Sequence, residues 1–125
     1  MNSKILLQFS LICVVLFSSS KLIAQSRKIN ITDFNVSEQQ QKVMVDWKTD
    51  GATETNYFAI QKSTDGINYK TIAMVLGPDP KQKNCDCYNC YDKYISKASK
   101  QYYRLVHVAA DGTEQVSDAK ILARP

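Results

Sequence analysis

The chain has 125 residues, of which 44% are hydrophobic and 22% are charged, and its formal net charge is +4 at pH 7. This length predicts one small domain with a single hydrophobic core. A net charge this small does not indicate a nucleic-acid partner, and no internal repeat or low-complexity linker interrupts the sequence.

The N-terminal segment has the pattern of a secretory signal peptide. Lys4 gives a basic start, an apolar run of 13 residues follows over 5–17, and Ala24 is a suitable residue before a cleavage site. A membrane-spanning helix needs about 20 residues. We therefore predict cleavage after Ala24, a secreted, periplasmic or cell-surface location, and no stable membrane span. Removal of 1–24 leaves 101 residues and takes away Lys4 and Lys21, so the net charge falls from +4 to +2.

The remaining chain alternates polar and apolar residues nearly throughout, which is typical of strands with one face in the core. In the clearest case Val43, Val45 and Trp47 fall on one face. Glycine turns over 63–66 and at 111–112 separate such runs. The predicted strands are 29–36, 42–48, 56–63, 69–76, 87–92, 101–109 and 114–122. Seven short antiparallel strands predict an all-β sandwich.

A series of aromatic, turn and acidic residues runs along these segments: Trp47, Glu54, Asn56, Phe58, Ile60, Ser63, Asp65, Gly66, Tyr88, Asp92, Tyr102 to Leu105, Asp111 and Gly112. In this order they resemble the fibronectin type III-like domains of secreted and surface proteins of Bacteroidota. The resemblance spans about residues 30–122. It implies a seven-stranded fibronectin type III or immunoglobulin-like sandwich over 25–125, and a role as a spacer, adhesion module or carbohydrate-associated module.

The segment NCDCYNCYDKY, residues 84–94, contains three of the four cysteines. In an exported protein such thiols tend to form disulfides rather than zinc thiolates. A Cys-x-Cys bond closes a very small ring, so Cys85 with Cys90, or a bond to a second chain, satisfies disulfide geometry more easily. We predict a disulfide among Cys85, Cys87 and Cys90 and one remaining thiol, which could link two chains covalently. Alternatively, Cys90 is a small buried hydrophobe.

A metal site is the competing interpretation of this segment, with three thiolates and His107 as the fourth ligand. Only Cys87 and Cys90 have the Cys-x-x-Cys spacing of structural zinc sites. The strand that carries His107 is expected in the opposite sheet. We therefore predict no metal and no cofactor, and a thiol- or metal-handling role remains an alternative function.

Residues 81–103 interleave lysines with tyrosines. Basic groups beside aromatic rings can bind anionic polymers or stack on sugars. The competing interpretation is a solvated lysine edge that blunts strand pairing, with alternate tyrosines in the core. If a ligand binds here, the predicted contacts are Tyr91, Lys93, Tyr94 and Lys97.

The sequence shows no clear catalytic motif. His107 is the only histidine, no acidic residue adjoins it, and the sequence has no glycine-rich phosphate loop. We predict a strand histidine that faces solvent or is half-buried, and no enzymatic activity. The predicted function is an exported, non-catalytic interaction or structural module, favouring protein–protein contact or cell-surface adhesion. A carbohydrate-binding accessory module that uses Tyr91 and Tyr94 is the second alternative.

Overall fold

The computed structural model describes residues 29–50, 55–77, 85–93 and 96–123. The predicted signal peptide, Cys13, the prolines at 78 and 80, and Tyr94 lie outside these ranges. Within them the regular elements are eight strands, and no helix is long and apolar enough to cross a membrane. The strands are β1 (Asn30–Gln39), β2 (Lys42–Asp50), β3 (Thr55–Ser63), β4 (Lys70–Leu76), β5 (Cys87–Asp92), β6 (Lys100–Ala109), β7 (Glu114–Val116) and β8 (Lys120–Ala123).

The strands form two antiparallel sheets. One has the order β1-β2-β5, and the other has the order β4-β3-β6 with both β7 and β8 paired to the free edge of β6. This confirms the predicted all-β architecture of two antiparallel sheets. The predicted count of seven strands is wrong, because the last strand divides in two.

The division of the last strand has a local cause at Ser117. Its backbone N–H donates to the carbonyl of Leu105, and its hydroxyl accepts from the backbone N–H of Leu105, both at 2.9 Å. The Ser117 side chain therefore takes the place of a backbone carbonyl in the ladder. Since Val116 pairs with Val106 and Lys120 pairs with Tyr103, three residues here oppose two on β6.

The core lies between the two sheets and is built on aromatic contacts. Trp47 stacks on Tyr88 with ring centroids 5.6 Å apart and meets Phe58 edge-on at 5.4 Å. Each fully buried side chain of this size contributes about 1.5–3 kcal/mol. The alternation predicted for β2, β3 and β6 is confirmed, because the buried core consists of Ile29, Val43, Val45, Trp47, Phe58, Ile60, Tyr88, Tyr103 and Leu105.

Turns with positive φ join the strands. Gly66 and Gly112 have φ values of 75° and 86°, as their turn sequences predict. The β1–β2 hairpin has no glycine: Gln40 and Gln41 both adopt left-handed φ values, 48° and 63°. A two-residue loop with both φ values positive is a type I′ turn. In the β3–β4 connection, Asp65 accepts hydrogen bonds from the backbone N–H groups of residues 67 and 68, which hold its pKa well below the usual range.

A buried ionic network joins the two sheets. Asp92 on β5 accepts a hydrogen bond from Lys62 on β3 at 2.5 Å and another from the hydroxyl of Tyr103 on β6 at 2.8 Å. The side chains of Lys62 and Asp92 are only 12% and 4% exposed. The Lys62 ammonium also lies 5.5 Å from the centre of the Tyr103 ring. This network therefore connects three strands at the end of the sandwich where β5 terminates.

Candidate ligand-binding surface

The cysteine segment forms a disulfide between Cys85 and Cys87, whose Cα atoms are 5.1 Å apart. The pairing of Cys85 with Cys90, which the sequence favoured, does not occur. Three residues of extended strand separate Cys87 from Cys90 by about 10 Å, beyond the roughly 7 Å that a disulfide spans. The pairing with β2 also continues upstream of Cys87, since Thr49 N–H donates to the carbonyl of Asp86 at 3.0 Å. Cys85 is therefore still farther from Cys90.

Cys90 lies outside this disulfide and faces the interior. It is half-buried and packs against the core cluster, as the interpretation of a buried hydrophobe predicts. A thiol that faces the core is poorly placed for a bond to a second chain. Cys87 and Cys90 also lie on opposite faces of β5, so they do not converge on one ion. Over the ranges that the structure describes, no three His, Cys, Asp or Glu side chains form a group that could hold a metal.

His107 is buried rather than half-buried or solvent-facing as predicted. Its exposed fraction is 3%, because it shares the core face of β6 with Tyr103 and Leu105. Its Nε2 atom lies 2.8 Å from the Thr55 hydroxyl, and its ring packs 5.3 Å from that of Phe58. Burial lowers the pKa of His107. The residue thus belongs to the core, and its strand lies in the sheet opposite β5, as predicted.

Two of the four predicted ligand contacts come together at one edge of the sandwich. Tyr91 and Lys93 line a pocket of about 210 Å³ with Ile72 and Asp92. The Tyr91 side chain is 49% exposed, and Lys93 is also exposed. Lys97 is exposed but does not line this pocket, and Tyr94 lies outside the described residues.

The position of Ile72 in this pocket results from an irregularity in the pairing of β3 with β4. Ile60 pairs with Ala73 and Gln61 pairs with Thr71, so Ile72 has no partner in the register. The extra residue lets Ile72 contribute an apolar wall beside Tyr91 on the neighbouring β5. Such local changes of side-chain direction cannot be derived from alternation alone.

A second depression, which the sequence did not predict, lies on the outer face of the three-stranded sheet. Its volume is about 340 Å³, and its lining includes Met44, Asp46, Lys48, Cys87 and Asn89. These residues alternate with the buried residues of β2 and β5, so they face away from the core. The register aligns them in cross-strand rows, which are Thr32–Lys48–Cys87, Asn35–Asp46–Asn89 and Ser37–Met44–Tyr91.

The central row of this outer face contains an unsatisfied acceptor. The Oδ2 atom of Asp46 is shielded from solvent and has no hydrogen-bond partner. Lys48, the nearest cation along β2, instead forms an ion pair with Asp33 at 3.2 Å. A shielded carboxylate oxygen without a donor is costly. The Asp46 side chain also lines the depression, so its carboxylate is an acceptor for a donor that binds there.

The outer face of the five-stranded sheet carries an apolar patch beside the polar row Thr71–Gln61–Arg104. Two adjacent cross-strand rows, Leu76–Tyr57–Val108 and Met74–Ala59–Val106–Val116, cover its middle. Leu76, Met74 and Val116 are 70%, 62% and 52% exposed. A contiguous apolar face of this kind is typical of a contact surface. The predicted protein–protein role stays a prediction, and this face is the feature that would favour it.

A third cavity of about 420 Å³ lies between β1 and β8. Two of its polar side chains already have partners within the fold. Asp33 pairs with Lys48, and the Ser117 hydroxyl donates to the carbonyl of Asp118 at 3.0 Å while accepting from Leu105. This cavity therefore offers fewer available groups than the surface formed by β2 and β5.

Comparison with known proteins finds similarity only at the level of structure. No protein-family profile and no curated protein matches the chain significantly. Among solved structures, the chain is similar to the pectate lyase Pel3 from Pectobacterium carotovorum, with a TM-score of 0.57 and 15% identity over 79% of this chain. It is also similar to the pectate lyase PelI from Erwinia chrysanthemi in complex with tetragalacturonic acid, with a TM-score of 0.55 and 13% identity over 76%. The chain spans only 27% and 28% of those two proteins.

These findings correct the resemblance to fibronectin type III-like domains. The structures found are parts of pectate lyases, and no family profile supports the earlier assignment. The residues that suggested it have general roles in a two-sheet β fold. Trp47, Phe58 and Tyr88 fill the core, whereas Gly66 and Gly112 occupy turns with positive φ. At such low identity the comparison establishes the fold alone, that of an all-β module.

Proposed function

We propose that the chain is an exported, non-catalytic module that binds polysaccharide, and that the Tyr91–Lys93 pocket is its primary contact. The observation that carries the proposal is a half-exposed tyrosine ring beside an exposed lysine and an apolar wall in one pocket. An aromatic ring packs against the apolar face of a sugar, and the ammonium attracts an acidic substituent. The structural neighbours named as pectate lyases, one in complex with tetragalacturonic acid, support an acidic sugar polymer as the ligand class.

The environment of the pocket supports binding rather than catalysis. Among the described residues that line it, the carboxylate is that of Asp92, which already accepts hydrogen bonds from Lys62 and Tyr103 in the buried network. His107 is buried in the core and interacts with Thr55. The groups at the pocket surface are therefore suited to hold a sugar, and the described part of the chain places no general base beside them.

Affinity gel electrophoresis tests this function with polygalacturonate of defined methyl-esterification embedded in the gel. We expect the gel to retard the wild-type chain and not Tyr91→Ala. Lys93→Ala should be retarded less than wild type at low salt, and this difference should shrink at high salt because salt screens the charge of Lys93. Tyr57→Ala and Lys100→Ala are matched controls on the other sheet and should be retarded normally. Circular dichroism checks that each variant is folded. Absence of wild-type retardation, or normal retardation of Tyr91→Ala, would contradict the proposal.

A further inference from the structure

We propose that the bound polysaccharide continues from Tyr91 along β5 into the depression around Asp46, and that Asp46 selects an uncharged sugar unit there. The inference rests on the proposed function and specifies its ligand. That ligand is a partly esterified or otherwise mixed-charge polymer of uronic acids, with an acidic unit at Lys93 and a neutral unit at the next position.

Geometry makes the two positions parts of one surface. Tyr91 and Asn89 lie on the same face of β5, and their partners on β2 are Met44 and Asp46. Successive residues on one face of a strand are about 7 Å apart. The Asp46 row therefore lies about one sugar ring away from the Tyr91 ring, along the strand direction.

The chemistry of the Asp46 position indicates which unit it accepts. Asp46 lines the depression, its carboxylate is a hydrogen-bond acceptor, and sugar hydroxyl groups are donors. The flanking amides of Asn35 and Asn89 provide further polar groups in the same row. Hydroxyl groups of a sugar ring fit such a row of acceptors and donors.

The charge of Asp46 disfavours a second acidic unit at this position. Its negative charge would repel a sugar carboxylate, and Lys48 is already paired with Asp33. Lys93 has the opposite charge, beside the Tyr91 ring at the neighbouring position. The surface therefore favours an acidic unit at one position and an uncharged unit at the next, whereas a uniformly acidic polymer suits only the first.

The test compares binding to unesterified polygalacturonate with binding to polygalacturonate of about half esterification, in the same gel assay. The variant is Asp46→Asn, which keeps the shape and removes the charge. Asp118→Asn, in the cavity between β1 and β8, is the matched control because it changes the net charge equally. Wild type and Asp118→Asn should prefer the half-esterified polymer.

For Asp46→Asn we expect opposite changes toward the two polymers. Binding of the half-esterified polymer should weaken, by about tenfold at most, through loss of a charge-assisted hydrogen bond. Binding of the unesterified polymer should strengthen, and this gain should shrink at high salt. The inference would be overturned if Asp46→Asn bound both polymers as wild type does, or if it bound both more weakly by the same factor. The proposed function would then still be tested separately by Tyr91→Ala. If the wild-type chain binds neither polymer, the proposed function and the inference both fail.

Discussion

Removal of one partner from the ionic network of Lys62, Asp92 and Tyr103 should lower the free energy of unfolding by several kilocalories per mole. Asp92→Ala leaves the Lys62 ammonium, 12% exposed, without its carboxylate. Breaking a buried pair in this way costs about 3–5 kcal/mol. The slight exposure of Lys62 favours the lower half of that range. The Tyr103 hydroxyl loses one acceptor but still has the Gln101 side-chain oxygen at 3.1 Å. We therefore expect a loss of about 3–4 kcal/mol.

Urea unfolding, followed by tryptophan fluorescence of Trp47, measures this loss. With a slope of about 1–1.5 kcal/mol/M, the midpoint should fall by roughly 2–4 M. The double variant Lys62→Met/Asp92→Leu removes both charges and should be at least about 1 kcal/mol more stable than Asp92→Ala, because no buried charge remains that has lost its counter-charge. The reasoning would be refuted if Asp92→Ala lost less than about 1 kcal/mol. It would also be refuted if the loss in the double variant equalled the sum of the losses in the two single variants.

Two further predictions concern groups in the core and in the cysteine segment. Burial lowers the pKa of His107, so the unfolded chain binds its proton more readily than the folded one. The contribution of His107 to the free energy of unfolding should be constant at and above neutral pH. It should fall as the pH drops below about 6.5, the pKa of an unfolded histidine, until the folded pKa is reached. Urea midpoints at several pH values measure this, and the same pH dependence in His107→Gln would assign the effect to another group. For the disulfide, the tryptic peptide of residues 84–93 contains Cys85, Cys87 and Cys90. Mass spectrometry after alkylation in denaturant should find one modified cysteine without reduction and three after it, whereas three without reduction would contradict the bond.

Alternation of side chains predicted much of the fold because the core is one continuous layer between two sheets. It identified the inward faces of β2, β3 and β6, and β5 has the predicted bounds of 87–92. The β1–β2 hairpin carries no sequence signal, since glutamine rarely adopts the positive φ of Gln40 and Gln41. The break at Ser117 depends on a side chain that replaces a backbone group, which a strand pattern does not reveal.

The candidate site was predictable only where its residues are close in sequence. Tyr91 and Lys93 stood out because they lie two residues apart in a segment of tyrosines and lysines. Asp46 did not, since its neighbours Asn35 and Asn89 come from two other strands and only the register brings them into one row. The prediction of one disulfide and one remaining thiol in this segment agrees with the structure, but the favoured pairing of Cys85 with Cys90 was wrong, because the reach between cysteines depends on where β5 begins.

The two faces of β5 separate stability from recognition. Tyr88, Cys90 and Asp92 point inward, where they contact the core and the ionic network. Cys87, Asn89 and Tyr91 point outward, because neighbouring residues of a strand alternate between faces. Cys90→Ala should therefore lower the urea midpoint and leave polysaccharide binding of the folded protein largely intact, whereas Tyr91→Ala should abolish binding and leave the midpoint largely unchanged. Six residues of one edge strand thus hold the sheets together on one side and present the proposed binding surface on the other.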